Sequence, residues 1–289
     1  MTTRDQWIAG ARPKTLPAAI APVLVGTSFA GYNATFLHTL LALIVALALQ
    51  VGVNYANDYS DGIKGTDSDR VGPMRLVGSG AATPEAVKKA ALLSFLIAAI
   101  AGLILASQTS WLLILLGAVC IGAAWTYTGG PKPYGYQALG EVSVFIFFGV
   151  VATVGTYYVQ TESISREVLL ASFAMGALAC AILVLNNLRD LEKDRSSGKK
   201  TLAVVMGDRE TRDLYKWLMF FALVMSVALT FFSFYYLLAL ISLPLISKSV
   251  RTVRAGASGD VLIDLLAKTG RIQIIYAVAI SLAAWLVAR

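Results

Sequence analysis

The sequence predicts an all-α polytopic membrane protein, with about nine transmembrane helices arranged as two four-helix halves plus one helix around a central cavity. Three observations predict it. Of 289 residues, 57% are apolar and 14% charged, whereas soluble domains carry about 25% charged residues, and the mean hydropathy is +0.70. The apolar residues gather in runs near the ~20 residues that a helix needs to cross a bilayer. The basic residues fall almost entirely in alternate gaps between those runs.

In chain order, spans are expected near 15–32, 37–56, 87–106, 111–127, 141–159, 168–188, 214–230, 232–247 and 271–288. They form a single domain over 1–289, with a first half at about 12–140, a second at about 141–250 and a last helix at about 271–288. Of the 24 Lys and Arg residues, 22 lie before the first span, in the even-to-odd gaps or within the first three residues of the span that follows such a gap. Arg166 and Arg289 are the exceptions. This bias places the N-terminus and the long loops in the cytoplasm and the C-terminus outside. The net charge of +7 therefore reports topology and not nucleic-acid binding. A cleavable leader is not expected, because the first run follows Arg12-Pro13-Lys14 and is interrupted by Pro17 and Pro22. Cys120 and Cys180 both lie within apolar runs and read as packing residues.

The gaps at 57–86 and 189–213 hold eleven of the seventeen carboxylates, so chemistry is expected there. The first cluster runs Asn54-Tyr55-Ala56-Asn57-Asp58-Tyr59-Ser60-Asp61. At about 100° per residue, Asn54, Asp58 and Asp61 share one helix face. In Asn186-Asn187-Leu188-Arg189-Asp190-Leu191-Glu192-Lys193-Asp194, a second face carries Asn186, Asp190 and Asp194. Both faces end spans of even number, so they emerge on the same side. The shared Asn-x-x-x-Asp opening suggests a parallel repeat about an axis along the membrane normal. Carboxylates near membrane depth are costly unless paired, and facing ones repel, so a cation is expected between them. Mg²⁺ suits hard carboxylate and amide oxygens, with water and phosphate completing its shell. Asp67 is a weaker addition, as fit for capping a loop as for binding metal.

Basic residues beside these acids point to an anionic ligand that brings the metal with it. Lys64, Arg70 and Arg75 follow the first cluster, and Gly198-Lys199-Lys200-Thr201 the second. Glycines in both loops permit close backbone approach to phosphate oxygens. The 4–5 gap, Trp125 to Tyr136, sets Lys132 among Tyr127, Tyr134 and Tyr136. It reads either as an interfacial aromatic belt or as a diphosphate-binding lysine with tyrosines facing an electron-poor intermediate.

Taken together, these stretches resemble the UbiA superfamily of intramembrane aromatic prenyltransferases. The resemblance is carried by Arg12-Pro13-Lys14-Thr15-Leu16-Pro17, by Asn57-Asp58-Tyr59-Ser60-Asp61 with Gly65-Thr66-Asp67, and by Gly72-Pro73-Met74-Arg75-Leu76-Val77. It continues through Tyr127-Thr128-Gly129-Gly130-Pro131 to Tyr134-Gly135-Tyr136, and through Asn186-Asn187-Leu188-Arg189-Asp190 to Gly198-Lys199-Lys200-Thr201-Leu202. It spans residue 12 to about 205, and the last stretch of the chain matches only in hydropathy. The Gly-Pro-x-Arg-Leu-Val and Tyr-Gly-Tyr segments resemble the branch that acts on 1,4-dihydroxy-2-naphthoate in menaquinone biosynthesis.

The resemblance implies a polyprenyl diphosphate with its tail among the helices and its head between the acidic helix ends, bridged by Mg²⁺, two ions in the expected form. It implies Asp58, Asp61, Asp190 and Asp194 as ligands, directly or through water, with Asn54 and Asn186 orienting them. Asp58 and Asp61 are three apart where many members have Asp-x-x-x-Asp, so Asp61 is open to either mode. Lys132 and Tyr127 resemble the lysine and tyrosine that the family carries between spans 4 and 5. Arg12, Lys14, Lys64, Arg75, Arg189, Lys199 and Lys200 are candidates for the diphosphate or the acceptor carboxylate.

Rival readings are weaker. Asp58-x-x-Asp61-Gly62 matches the start of the CDP-alcohol phosphotransferase motif, and the match stops there. A cation-coupled transporter would place acids near the midplane with access from both sides, whereas here they cluster at one end. Within the superfamily, another aromatic acceptor such as 4-hydroxybenzoate is the alternative.

Overall fold

A computed structural model describes residues 2–65 and 74–289. Among them the chain is helical, and its one extended pairing is an isolated bridge between Gln137 and Lys200. The helices are α1 (Arg4–Ala11), α2 (Pro17–Phe29), α3 (Phe36–Ile63), α4 (Pro84–Gln108), α5 (Leu112–Thr126), α6 (Gly140–Thr161), α7 (Arg166–Ser196), α8 (Leu202–Met206), α9 (Asp208–Phe231), α10 (Phe234–Arg254) and α11 (Gly259–Val287). A capping box between Thr3 and Gln6 starts α1. Thr35, Thr83 and Ser165 cap α3, α4 and α7 with their side-chain oxygens.

Seven helices, α3, α4, α6, α7, α9, α10 and α11, are long and apolar enough to cross a membrane. The expected spans at 15–32 and 111–127 are the shorter α2 and α5, of 13 and 15 residues, which reach only ~20 Å at 1.5 Å per residue. Several boundaries also differ from the hydropathy reading. The acidic stretches lie on helix, as their shared faces predict, and the helices run past the expected span ends, α3 to Ile63 and α7 to Ser196. The last helix starts at Gly259, not near 271. The reason is common to all three: apolar runs end where charge begins, but backbone hydrogen bonding continues into the polar zone. In α7, Lys193 and Arg195 in the last turn also suit the negative end of the helix dipole.

Helix α7 is the central post, with 78% of its most apolar stretch buried against 22% for α3. It packs on α2, α6, α9 and α11. In lipid, apolar surface gains nothing by merely leaving its surroundings, so close contact through small residues holds helices together. The α7 run Ala171, Ala174, Gly176, Ala177, Ala179 and Ala181 supplies such a surface. Gly149 of α6 lies on Gly176, where an added Cβ would stand 2.4 Å from the Gly176 Cα. Helix α6 turns wide at this point, with π geometry over Phe145–Val151. Gly149→Leu is expected to lower the thermal midpoint in detergent by the equivalent of about 1–3 kcal/mol, the cost of overpacking a tight contact. Gly155→Ala on the same helix, where a Cβ meets nothing within 4 Å, should leave the midpoint unchanged or slightly raised.

Candidate active site

The ends of α3 and α7 carry the four aspartates, and all are buried: Asp58 is 1% exposed, Asp61 3%, Asp190 7% and Asp194 9%. Carboxylates so enclosed need partners. The Asp58 oxygens accept the backbone N–H groups of Leu76 (2.8 Å) and Val77 (3.0 Å), which pins the chain beyond residue 73 against α3. Asp61 accepts from the Lys199 ammonium at 2.9 Å and from the Tyr136 hydroxyl. Asp190 is held bidentately by Arg189, at 2.8 and 2.7 Å, and Arg189 also donates to Asn186 Oδ1 at 2.9 Å. The backbone carbonyl of Asp194 accepts the Lys199 N–H at 2.9 Å. Lys199 thus joins the two acidic helix ends, with its backbone on one and its side chain on the other.

The connection between α5 and α6 closes over this junction. Lys64 Nζ donates to the Thr128 carbonyl at 2.7 Å, and the Thr128 hydroxyl to Asn57 Oδ1 at 2.7 Å. Ala138 N–H donates to the Lys200 carbonyl at 2.8 Å. The Tyr136 ring lies between two ammonium groups, Lys64 at 5.1 Å and Lys199 at 4.7 Å from its centroid, within cation–π range of both. Partial burial holds the Lys64 ammonium below the usual lysine range. Asp61 acts the other way, and Lys199 adds to the depression. Burial pushes the Tyr127 phenol far above its ordinary range, reinforced by Glu141, Tyr134, Asp61 and Asp194. Tyr134 is raised by burial too. It packs edge-on to Tyr127 at 5.4 Å and makes hydrogen bonds to the Ala123 carbonyl (2.9 Å) and Ser143 Oγ (3.0 Å).

Beneath this polar cover lies a cavity of about 290 Å³. Its polar end is lined by Arg12, Thr15, Gln50, Asn54, Asn57 and Asn186, and its flanks are aliphatic and aromatic. Of the residues singled out from sequence, Arg12, Asn54, Asn186 and Tyr127 line it. Asn54 donates to the Ala11 carbonyl at 2.9 Å, which fastens the turn where Arg12 adopts left-handed geometry with φ 54°; among the described residues it does not donate to an aspartate. Arg75 is buried. Lys14, Lys132 and Lys200 are exposed and do not line the cavity; Lys200 is engaged through its carbonyl. Asp67 lies outside the described residues. Among the described residues no three of His, Cys, Asp or Glu converge as a metal cage. The aspartates sit in two stations, each with protein partners.

The cavity also depends on residues that periodicity did not single out. Gln50 donates to the Thr15 hydroxyl at 2.9 Å, bracing α3 against the turn before α2. Glu141, buried at the start of α6, accepts from Asn187 Nδ2 at 2.9 Å, while its other oxygen has no partner among the described residues. Its signal in the sequence was a carboxylate at the first position of an apolar run, which reads equally as a span boundary. Tyr136 stood among tyrosines that fit an interfacial belt.

The profile of the UbiA prenyltransferase family matches residues 19–258. The chain belongs to that family. A relative named 1,4-dihydroxy-2-naphthoate octaprenyltransferase from Mycobacterium tuberculosis is 49% identical over 283 residues, 97% of each chain. One of the same name from Escherichia coli is 39% identical, over 86% of this chain and 84% of its own. The fold matches a UbiA homolog from Aeropyrum pernix K1 with TM-score 0.74 at 16% identity, covering 93% of this chain and 98% of that one. It also matches a UbiA homolog from Archaeoglobus fulgidus bound to GPP and Mg²⁺, with TM-score 0.67 at 14% identity over 96% and 99%. This UbiA chain is therefore a multi-pass membrane prenyltransferase. The acidic ends of α3 and α7 are joined in this chain through Lys199.

Proposed function

We propose that this chain transfers a polyprenyl group from polyprenyl diphosphate to 1,4-dihydroxy-2-naphthoate, with loss of CO₂ and diphosphate, to give demethylmenaquinone in its reduced, quinol form. The observation that carries the reading is the junction of two buried acidic helix ends at the polar end of an apolar cavity. A diphosphate head suits that end and a prenyl chain suits the flanks. The acceptor assignment is supported by the names of the relatives that match nearly the whole chain.

The donor set fits Mg²⁺. Each oxygen of Asp58 accepts one backbone N–H, and a carboxylate offers about four lone-pair sites, so capacity remains. The lack of a ready-made cage among the described residues suits an ion that takes one or two carboxylates and completes its shell with water and diphosphate oxygens. Asp58, Asp61, Asp190 and Asp194 would hold it, and two ions are the number expected. When bound, Mg²⁺ neutralises the diphosphate and makes it a better leaving group. Lys199 and Arg189 neutralise Asp61 and Asp190 in this structure, and both carry charged donors of the kind that would stabilise departing diphosphate oxygens. Arg12 supplies positive charge at the same end of the cavity. Tyr127 and Tyr134 line the cavity, where aromatic rings would stabilise the allylic cation, and the apolar flanks exclude the water that would quench it. The electron-rich naphthoate ring then forms the new carbon–carbon bond, and its carboxyl group departs as CO₂. The basic residues around the acidic ends support a cytoplasmic site.

The test is incubation of the purified chain with Mg²⁺, polyprenyl diphosphate and a panel of aromatic acids, followed by mass analysis. The expected product is the prenylated naphthoquinol or its quinone without the carboxyl group. A product formed with 4-hydroxybenzoate instead overturns the acceptor, and no product with any acid overturns the reaction.

A further inference from the structure

Four side-chain amides line the polar end of the cavity, Gln50, Asn54 and Asn57 on α3 and Asn186 on α7. An amide has an accepting end and a donating end, and its partners decide which end is left over. The Thr15 hydroxyl donates to the Arg12 carbonyl at 2.9 Å, so its oxygen remains to accept. It receives a Gln50 N–H at 2.9 Å and an Asn54 N–H at 3.4 Å. The Ala11 carbonyl, which can only accept, takes an Asn54 N–H at 2.9 Å. Both amide nitrogens are thus held against the turn between α1 and α2. Among the described residues neither Gln50 Oε1 nor Asn54 Oδ1 accepts a hydrogen bond. The other two amides are set the opposite way. Arg189, which can only donate, takes Asn186 Oδ1 at 2.9 Å, and the Thr128 hydroxyl donates to Asn57 Oδ1 at 2.7 Å. There the nitrogens are left over.

We infer that Gln50 and Asn54 form an acceptor-only station for the hydroxyl hydrogens of the aromatic substrate, so that the site binds the hydroquinone acid and rejects its quinone. This rests on the proposed dihydroxynaphthoate acceptor. The quinone of that acid keeps the ring, the carboxylate and nearly the same size, but carries carbonyl oxygens in place of hydroxyls. Against two amide oxygens it offers no hydrogen, and a buried acceptor left unpaired weakens binding. Both side chains are enclosed enough for that penalty to apply, with Gln50 6% and Asn54 4% exposed. Sites built to bond a substrate hydroxyl reject analogues that lack it far more strongly than apolar pockets reject a change of size. The discrimination has a chemical use. Only the electron-rich quinol can attack an allylic cation, and a bound quinone would leave the ionised donor without a nucleophile. Asn57 and Asn186, whose N–H groups are the spare ends, suit the anionic groups of the two substrates instead.

The test is binding to the full chain in detergent, in oxygen-free buffer with Mg²⁺ and no prenyl donor. The probes are 1,4-dihydroxy-2-naphthoate and 1,4-naphthoquinone-2-carboxylate. The unsubstituted chain is expected to bind the quinol at least about tenfold more tightly than the quinone, the scale of one or two buried hydrogen bonds left unmade. Equal affinity, or tighter binding of the quinone, overturns the station. Gln50→Leu removes the amide while keeping most of the side-chain volume, and should lower that ratio at least about fivefold by weakening the quinol. A residue that only braced the turn before α2 would weaken both acids alike, so a Leu variant that keeps the ratio also overturns it. If that variant does not elute as folded protein, the comparison on the unsubstituted chain decides alone. An unsubstituted chain that binds neither acid fails the dihydroxynaphthoate reading itself, and the station with it.

Discussion

Asp58→Ala and Asp190→Ala are each expected to lower prenyl transfer by about a thousandfold or more, the scale of losing a principal stabiliser of departing charge. The two substitutions should differ in what they do to the fold. Removing the Asp190 carboxylate leaves the Arg189 side chain, 3% exposed, without its bidentate partner, and breaking such a buried pair costs roughly 3–5 kcal/mol. Removing Asp58 orphans the N–H groups of Leu76 and Val77, at about 1–3 kcal/mol each if they stay buried. Asparagine at either position keeps the volume and part of the hydrogen bonding while removing the charge. Asp58→Asn and Asp190→Asn should therefore elute as folded protein in detergent and remain inactive in single-turnover assays. Turnover near that of the unsubstituted chain in either Asn variant would remove that carboxylate from the mechanism.

Chelation of divalent ions is expected to abolish turnover completely, and added Mg²⁺ to restore it, with little change in the thermal midpoint of the metal-free protein. This separates the site from structural metal centres, whose removal unfolds the chain. The reason is the set of substitute partners in this structure: Lys199 on Asp61, Arg189 on Asp190 and two backbone N–H groups on Asp58. Mg²⁺ together with polyprenyl diphosphate should then raise the midpoint, since a ligand at 100 times its Kd adds about 2.7 kcal/mol. Activity surviving exhaustive chelation, or wholesale unfolding on chelation, would contradict the arrangement.

Much of the site was legible in sequence because it obeys helical periodicity. Asn54, Asp58 and Asp61 share a face by spacing alone, and so do Asn186, Asp190 and Asp194; both triplets lie on helix, in α3 and α7. Spacing says nothing of partners. The loop lysine Lys132 fits a diphosphate role on paper, but its side chain is exposed away from the cavity lining. Glu141 and Tyr136 looked like a span boundary and a belt residue, and they make two of the contacts that enclose the site. Helix ends were misplaced for a related reason: hydropathy records where lipid stops, whereas a helix stops where its backbone bonding does.

By itself the sequence determined that the chain is helical and membrane-embedded, and that two acidic faces stand at spans of the same parity beside basic loops. Each of these depends on residues within a few turns of one another, where geometry is set by the 3.6-residue period and by the cost of charge in hydrocarbon. Only the tertiary structure decided that Lys199 reaches Asp61 across 138 residues, that Asn54 holds the Arg12 turn, and that α6 leans on α2 and α7. Those depend on which small residues let backbones touch, as Gly149 and Gly176 do. Close packing between distant segments is a property of matched surfaces, and a linear pattern does not contain the match.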